Sequence, residues 1–328
     1  MTGPVTIRGA GIVGLCVATE LVARGIDVTL RDPAPSPGAH ACSWWAGGML
    51  APFCEGFSAE EPVVRLGQAA ADWWAAQGVE VIRRGSLVVT LQRDRRELDQ
   101  FARRTMGHRF VTGEELAVLE PHLVERHDRA LFFPDEAHIN PRAALHHLHK
   151  RLVDAGVRFE QDAAEPHGSV IDCRGLAAQD SLPDLRGVKG EMLVLRSRDV
   201  TLTRPIRLLH PRFPLYIVPR GDGVFMLGAT QIESTERGRA SARSVMELLS
   251  AAYALHPAFG EAEVLEIGAD ARPAFPDNLP RVSRKGGTVY VNGLFRHGFL
   301  LSPAVARMAA EMVSGDTQKP EFYHEDHG

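Results

Sequence analysis

Residues Val5 to Arg8 form a short β-rich run, and Gly9-Ala-Gly-Ile-Val-Gly14 leads from it into Leu15 to Arg24, where apolar positions recur at helical spacing. Gly25 closes that helix, and Ile26 to Arg31 predicts a second strand ending at Asp32. The pattern is therefore β-α-β. Pro33, Pro35, Pro37 and Gly38 mark a loop, followed by the small-residue segment Ser43 to Leu50. Helices are predicted over Pro62 to Gln77, Arg93 to Thr105 and Gly113 to Leu119, with a strand over Ser86 to Gln92. Asn140 and Pro141, as N-cap and first helical residue, open a helix through Val153. Val170 to Gly175 reads as a strand ending in a glycine turn.

Beyond residue 187 the pattern turns antiparallel in character. Val188 to Arg196 is a strand, and Leu215 to Arg220 joins Val224 to Gln231 through Gly221-Asp-Gly223 as a hairpin. Ser241 to Leu255 is a helix, Thr288 to Asn292 a strand, and Ser302-Pro303 opens a helix reaching about Val313. Dinucleotide-type elements thus stand at both ends around an antiparallel middle. The expected fold class is α/β plus α+β, a Rossmann-like domain of residues 1–52, 131–187 and 264–328 with an inserted antiparallel-sheet domain of residues 53–130 and 188–263.

A chain of 328 residues can bury such a pair of cores. Its 37 basic and 41 acidic side chains leave a net charge of −4, so nothing marks it for nucleic acid or an anionic membrane. No apolar stretch approaches the roughly 18 residues needed to span a bilayer. Four scattered cysteines without a C-x-x-C pair fit a reduced compartment, and the chain reads as cytoplasmic. His146, His147 and His149 read as a solvated helix face, and the tail His324 to His327 as a frayed terminus, so no metal site is expected.

Gly9-x-Gly11-x-x-Gly14 sits between a strand and a helix, and Asp32 ends the next strand. Gly9 suits the tight turn, Gly11 admits a pyrophosphate to the backbone N–H groups, and Gly14 allows close helix–strand packing. Asp32 suits ribose hydroxyls and disfavours a 2′-phosphate, which argues against NADP. NAD and FAD stay open on this motif alone.

Further segments narrow the choice: Ser43-Trp-Trp-Ala-Gly-Gly-Met-Leu50, Val188-Lys-Gly-Glu-Met192, Leu215 to Gly223, Gly228-Ala-Thr230, Ala271-Arg-Pro273 and Asn292 to Ala304. In order and spacing the chain resembles the FAD-dependent amine oxidases of the D-amino-acid oxidase superfamily, and most closely glycine oxidase of thiamin biosynthesis. The resemblance implies non-covalent FAD, a small amino acid as substrate, O2 as acceptor, and H2O2 as product. It implies FAD contacts at Ile12 and Val13, at Asp32 and Pro33, at Cys42 and Ser43, and at Gly47, Gly48 and Met49. Others follow at Leu294, Phe295, Arg296, His297, Gly298, Phe299 and Leu300.

Arg272 matches the family arginine that pairs with the substrate carboxylate, Arg296 a second arginine near it, and Tyr216 an active-site tyrosine. A guanidinium fork suits a carboxylate and would aim Cα–H at the flavin. The helix near Ser302 is expected to point its N-terminus at the flavin. Pro214 and Gln231 depart from the glycine oxidase pattern, and Trp45 stands where some relatives bond FAD through histidine. Sarcosine or a D-amino acid as substrate, a carrier as acceptor, or a non-catalytic flavin-binding subunit remain alternatives, and a homo-oligomer is left open.

Overall fold

The computed structural model describes residues 3–161, 166–210, 215–315 and 319–325. The strand Val5–Arg8 enters the helix Ile12–Ala23, and the chain returns as Val28–Arg31, parallel to the first strand with Val5 opposite Val28. The helix starts three residues before the expected Leu15, because Gly14 is a packing contact and not a break. A side chain at Gly14 would overlap the carbonyl oxygen of Gly9.

Seven strands make the first sheet, in the order Tyr323–Glu325, Arg281–Lys285, Thr288–Asn292, Ser169–Asp172, Val5–Arg8, Val28–Arg31 and Arg158–Glu160. All neighbours are parallel except Arg281–Lys285 with Thr288–Asn292. Its helices Ile12–Ala23, Pro141–Asp154 and Gly298–Ser314 supply one core, with Leu15, Leu148 and Val305 buried among the strand residues. Asn140 caps the second of these helices, its side-chain oxygen accepting from Arg142 N at 3.1 Å and Ala143 N at 3.3 Å.

The second sheet has nine strands and is mostly antiparallel. Its order is Ile232–Glu233, Arg186–Arg196, Val224–Gly228, Leu215–Pro219, Ile206–Leu209, Ser86–Thr90, Arg129–Phe133 and Arg109–Thr112, and Glu263–Ala274 pairs with Arg186–Arg196 along its length. Alternation divides its faces. Leu193, Leu195, Ile217 and Leu227 pack with Leu248 and Leu255 of the helix Ala242–Leu255, whereas Met192, Val194 and Met226 cluster on the opposite face with Trp45 and Tyr216. Three strands cross the expected domain borders: Arg129–Phe133, Arg186–Arg196 and Glu263–Ala274 all pair within this sheet.

Two other expected helices differ. Pro62 to Gln77 is two helices, Glu61–Gly67 and Ala70–Ala76. Gly67 lies at the break, and a side chain there would collide with Leu300. The C-terminal helix starts at Gly298 and not at Ser302. Pro303 therefore falls inside it and cannot donate to the carbonyl of Phe299 four residues back. Trp74 Nε1 donates to that oxygen instead, at 2.9 Å.

Candidate active site

A cavity of about 1230 Å³ is walled by the first sheet's strand ends and the inner face of the second sheet. At one end lies the glycine turn. Gly9 has φ 100°, and a side chain on it would press on the Cys173 carbonyl. Gly11 is the N-cap of Ile12–Ala23 without a side-chain cap, so the helix's first N–H groups have no partner within the helix. The nearest atom to a side chain at Gly11 would be Ser43 Oγ at 3.9 Å, which leaves space before those donors. Gly11, Ile12 and Val13 face the cavity; Gly14 does not, in keeping with its packing role.

Asp32 and Pro33 line the cavity beside this turn. One Asp32 oxygen accepts from Ala10 N at 2.7 Å and the other from Ala34 N at 2.9 Å, so the carboxylate also fixes the turn. Cys42 and Ser43 belong to the 3-10 helix Cys42–Trp45. Burial, with Asp270 adding to it, pushes the Cys42 thiol up to about 11. Ser43 Oγ is buried and finds no hydrogen-bond partner among the described residues. Unpaired helix donors and an unpaired hydroxyl around open space fit a dinucleotide.

Gly47, Gly48 and Met49 continue along the wall. Arg220 holds this segment from behind: it donates to Gly47 O at 2.8 Å, Ala46 O at 3.3 Å and Ile139 O at 3.1 Å. Burial pulls its pKa down to about 10. Opposite stand Leu294, Phe295, Arg296 and His297, followed by Gly298, Phe299 and Leu300 at the start of the C-terminal helix. That helix has no side-chain cap and no acidic residue in its first turn, and its positive end faces the cavity.

The far end is cationic. Arg272, on Glu263–Ala274, reaches across its neighbour strand, where a side chain on Gly190 would overlap the guanidinium. Its Nη1 donates to Thr230 O at 3.2 Å, and no carboxylate pairs with it among the described residues. Burial pulls its pKa below the ordinary value. Tyr216 sits directly across from Arg207 in the sheet. Its hydroxyl lies over Gly228, and burial raises its pKa against the opposing pull of Arg272, Arg220 and Arg207.

Arg296 lines the same cavity as Arg272. It pairs with Glu55 at 2.7 Å and also meets Ser58. Glu55, Arg207 and Arg220 are not among the residues predicted from sequence. Glu55 ends an apolar run and Arg207 interrupts an apolar strand, and a buried charge of that kind was the available signal. Of the departures, Gln231 and Trp45 line the cavity, with Trp45 Nε1 donating to Ala39 O at 3.1 Å; Pro214 lies outside the described residues. Among those residues no group of His, Cys, Asp or Glu is arranged to hold a metal, and no helix is long and apolar enough to cross a membrane.

Fold and site together define an oxidoreductase that binds a dinucleotide at the glycine turn and extends its cavity to a cationic pocket. A model of the FAD dependent oxidoreductase family matches residues 4–312, and the chain belongs to that family. A Rhizobium etli protein, named as the thiamine biosynthesis oxidoreductase ThiO, is 54% identical over 97% of this chain and 98% of its own. Glycine oxidase of Pseudomonas aeruginosa is 26% identical over 96% of both chains. The crystal structure of glycine oxidase from Geobacillus kaustophilus superposes with a TM-score of 0.81, at 22% identity, over 97% of this chain and 96% of that one. The protein is an FAD-dependent enzyme.

Proposed function

We propose that this enzyme oxidises a small amino acid, glycine foremost, to its imine, with O2 as electron acceptor and H2O2 as product. The imine then hydrolyses to glyoxylate and ammonia or feeds thiazole formation in thiamin biosynthesis. Arg272 carries the reading: a cation with no carboxylate partner among the described residues, in the cavity that also holds the glycine turn. The names of the Rhizobium and Pseudomonas relatives support it.

FAD bound in this cavity would supply the two-electron redox chemistry of the reaction. The chain binds and orients. The first turn of Ile12–Ala23 and Ser43 hold the pyrophosphate side, and Asp32 the ribose. The N-terminal end of Gly298–Ser314, which lines the cavity, would favour negative charge on a flavin reduced there. The Arg272 fork holds the substrate carboxylate, which fixes the direction of Cα–H. Tyr216 walls the same pocket. With Trp45 at the position where some relatives carry a linking histidine, FAD is held without a covalent bond. The seven-stranded part carries FAD and the nine-stranded part the substrate, in a cytoplasmic enzyme whose four cysteines are free.

Gln231 in the cavity wall favours a second reading, sarcosine or a D-amino acid in place of glycine. Anaerobic addition of glycine, sarcosine and D-alanine to the yellow protein tests both. Fastest bleaching by glycine supports the first reading, fastest bleaching by another supports the second, and a flavin that none of them reduces overturns the amino-acid assignment.

A further inference from the structure

Three guanidiniums line the cationic end of the cavity, and they are not equivalent. Glu55 pairs with Arg207 at 2.8 Å and with Arg296 at 2.7 Å, while Arg272 has no such partner among the described residues. The Glu55 carboxylate also accepts from His297 Nε2 at 2.9 Å. One acidic side chain thus joins the short helix Pro52–Glu55, the strand Ile206–Leu209 and the turn that carries Arg296 and His297. Phe295 in that turn has φ 51°, a left-handed conformation that a residue with a Cβ keeps only when its surroundings impose it. Phe295 N donates to Pro273 O at 2.9 Å on one side; Glu55 holds the two following side chains on the other.

We propose that Glu55 is a positioning and selectivity residue: it fixes the turn Leu294–His297 and occupies Arg207 and Arg296, leaving Arg272, of these three guanidiniums, as the open anchor for one carboxylate. Burial alone would raise the Glu55 carboxyl, but Arg296, Arg207 and His297 hold it well below the usual carboxylate range. It therefore remains an anion. A substrate with a second carboxylate finds Arg207 and Arg296 already paired with Glu55, so it gains no free cation there, and the discrimination rests on that occupied pair. The inference takes from the proposed function only that Arg272 binds a carboxylate.

The test uses the oxidised holoenzyme without turnover, with acetate and malonate as probes and the flavin absorbance as readout. In the unaltered protein malonate binds no tighter than acetate. In Glu55→Gln, malonate tightens at least tenfold while acetate moves less than threefold, and adding Arg207→Gln removes the gain. Apo-protein of Glu55→Gln also takes up FAD more weakly, and Glu55→Asp recovers the discrimination against malonate. Malonate binding far tighter than acetate in the unaltered protein overturns the proposal even if Glu55→Gln fails to fold. So does a Glu55→Gln protein in which both anions behave as before. Because no oxidation is followed, an enzyme that ignores glycine yet discriminates against malonate keeps this inference and loses the glycine reading.

Discussion

Arg272 and Arg296 carry the same side chain, and their neighbours give them different work. Arg296 is paired with Glu55, whereas Arg272 donates to the Thr230 carbonyl and has no carboxylate partner among the described residues. On the proposed reading, removing Arg272 leaves the substrate carboxylate without its cationic partner. Arg272→Ala is expected to cost about 2–5 kcal/mol of transition-state stabilisation, roughly a 30- to 5,000-fold loss in kcat/KM. Arg272→Lys recovers only part of it, since an ammonium lacks the planar fork. Steady-state kinetics of both variants check this, and wild-type turnover in Arg272→Ala assigns the residue to structure alone. At this scale the sequence was most legible where a motif has one purpose. Gly9, Gly14 and Asp32 could be read because the turn, the close packing and the acid at the strand end each restrict the choice of residue. Glu55 could not, because its meaning comes from Arg207 and Arg296, 152 and 241 positions away, brought together only by the fold.

Among the elements, the C-terminal helix is the most informative. Pro303 marks a helix start when read locally, yet the helix begins at Gly298 because Trp74 takes over the carbonyl that the proline leaves free. Trp74→Phe keeps the aromatic packing against Phe299 and removes only the donor. A buried carbonyl left unpaired costs about 1–3 kcal/mol, so urea unfolding should show that loss with little change in slope. An unchanged midpoint would mean the helix does not depend on this bond. The first β-α-β unit was legible from its period and its glycines. The strand Glu263–Ala274 was not, although it is 12 residues long and carries Arg272. Its outer half mixes Glu263, Val264, Leu265 and Glu266 without alternation; among the described residues that half pairs only with Arg186–Arg196, and Val264 and Leu265 stay exposed.

For the whole molecule, a buried carboxyl behind the active site links stability to pH. Glu136 is fully buried, accepts from Cys54 N at 2.7 Å and from Ser86, and burial raises its pKa to about 7. The folded state holds this proton more tightly than the unfolded state does. Its contribution is therefore fully present below about pH 4.5 and is lost as pH rises through about 7, a change on the order of 3 kcal/mol. Glu136→Gln should remove that dependence, so that thermal unfolding at pH 5 and pH 8 differs less in the variant than in the parent. An equal difference in both proteins would place the proton elsewhere.

The central claim is that one open guanidinium, Arg272, aligns a small amino acid on the flavin. Anaerobic reduction of the bound flavin by glycine and by glycinamide tests it most directly, since the two differ at the group that Arg272 holds. The expected result is rapid bleaching by glycine and far slower bleaching by glycinamide, with Arg272→Ala bringing glycine down toward the glycinamide rate. Equal reduction by both amines, unchanged in Arg272→Ala, would contradict it.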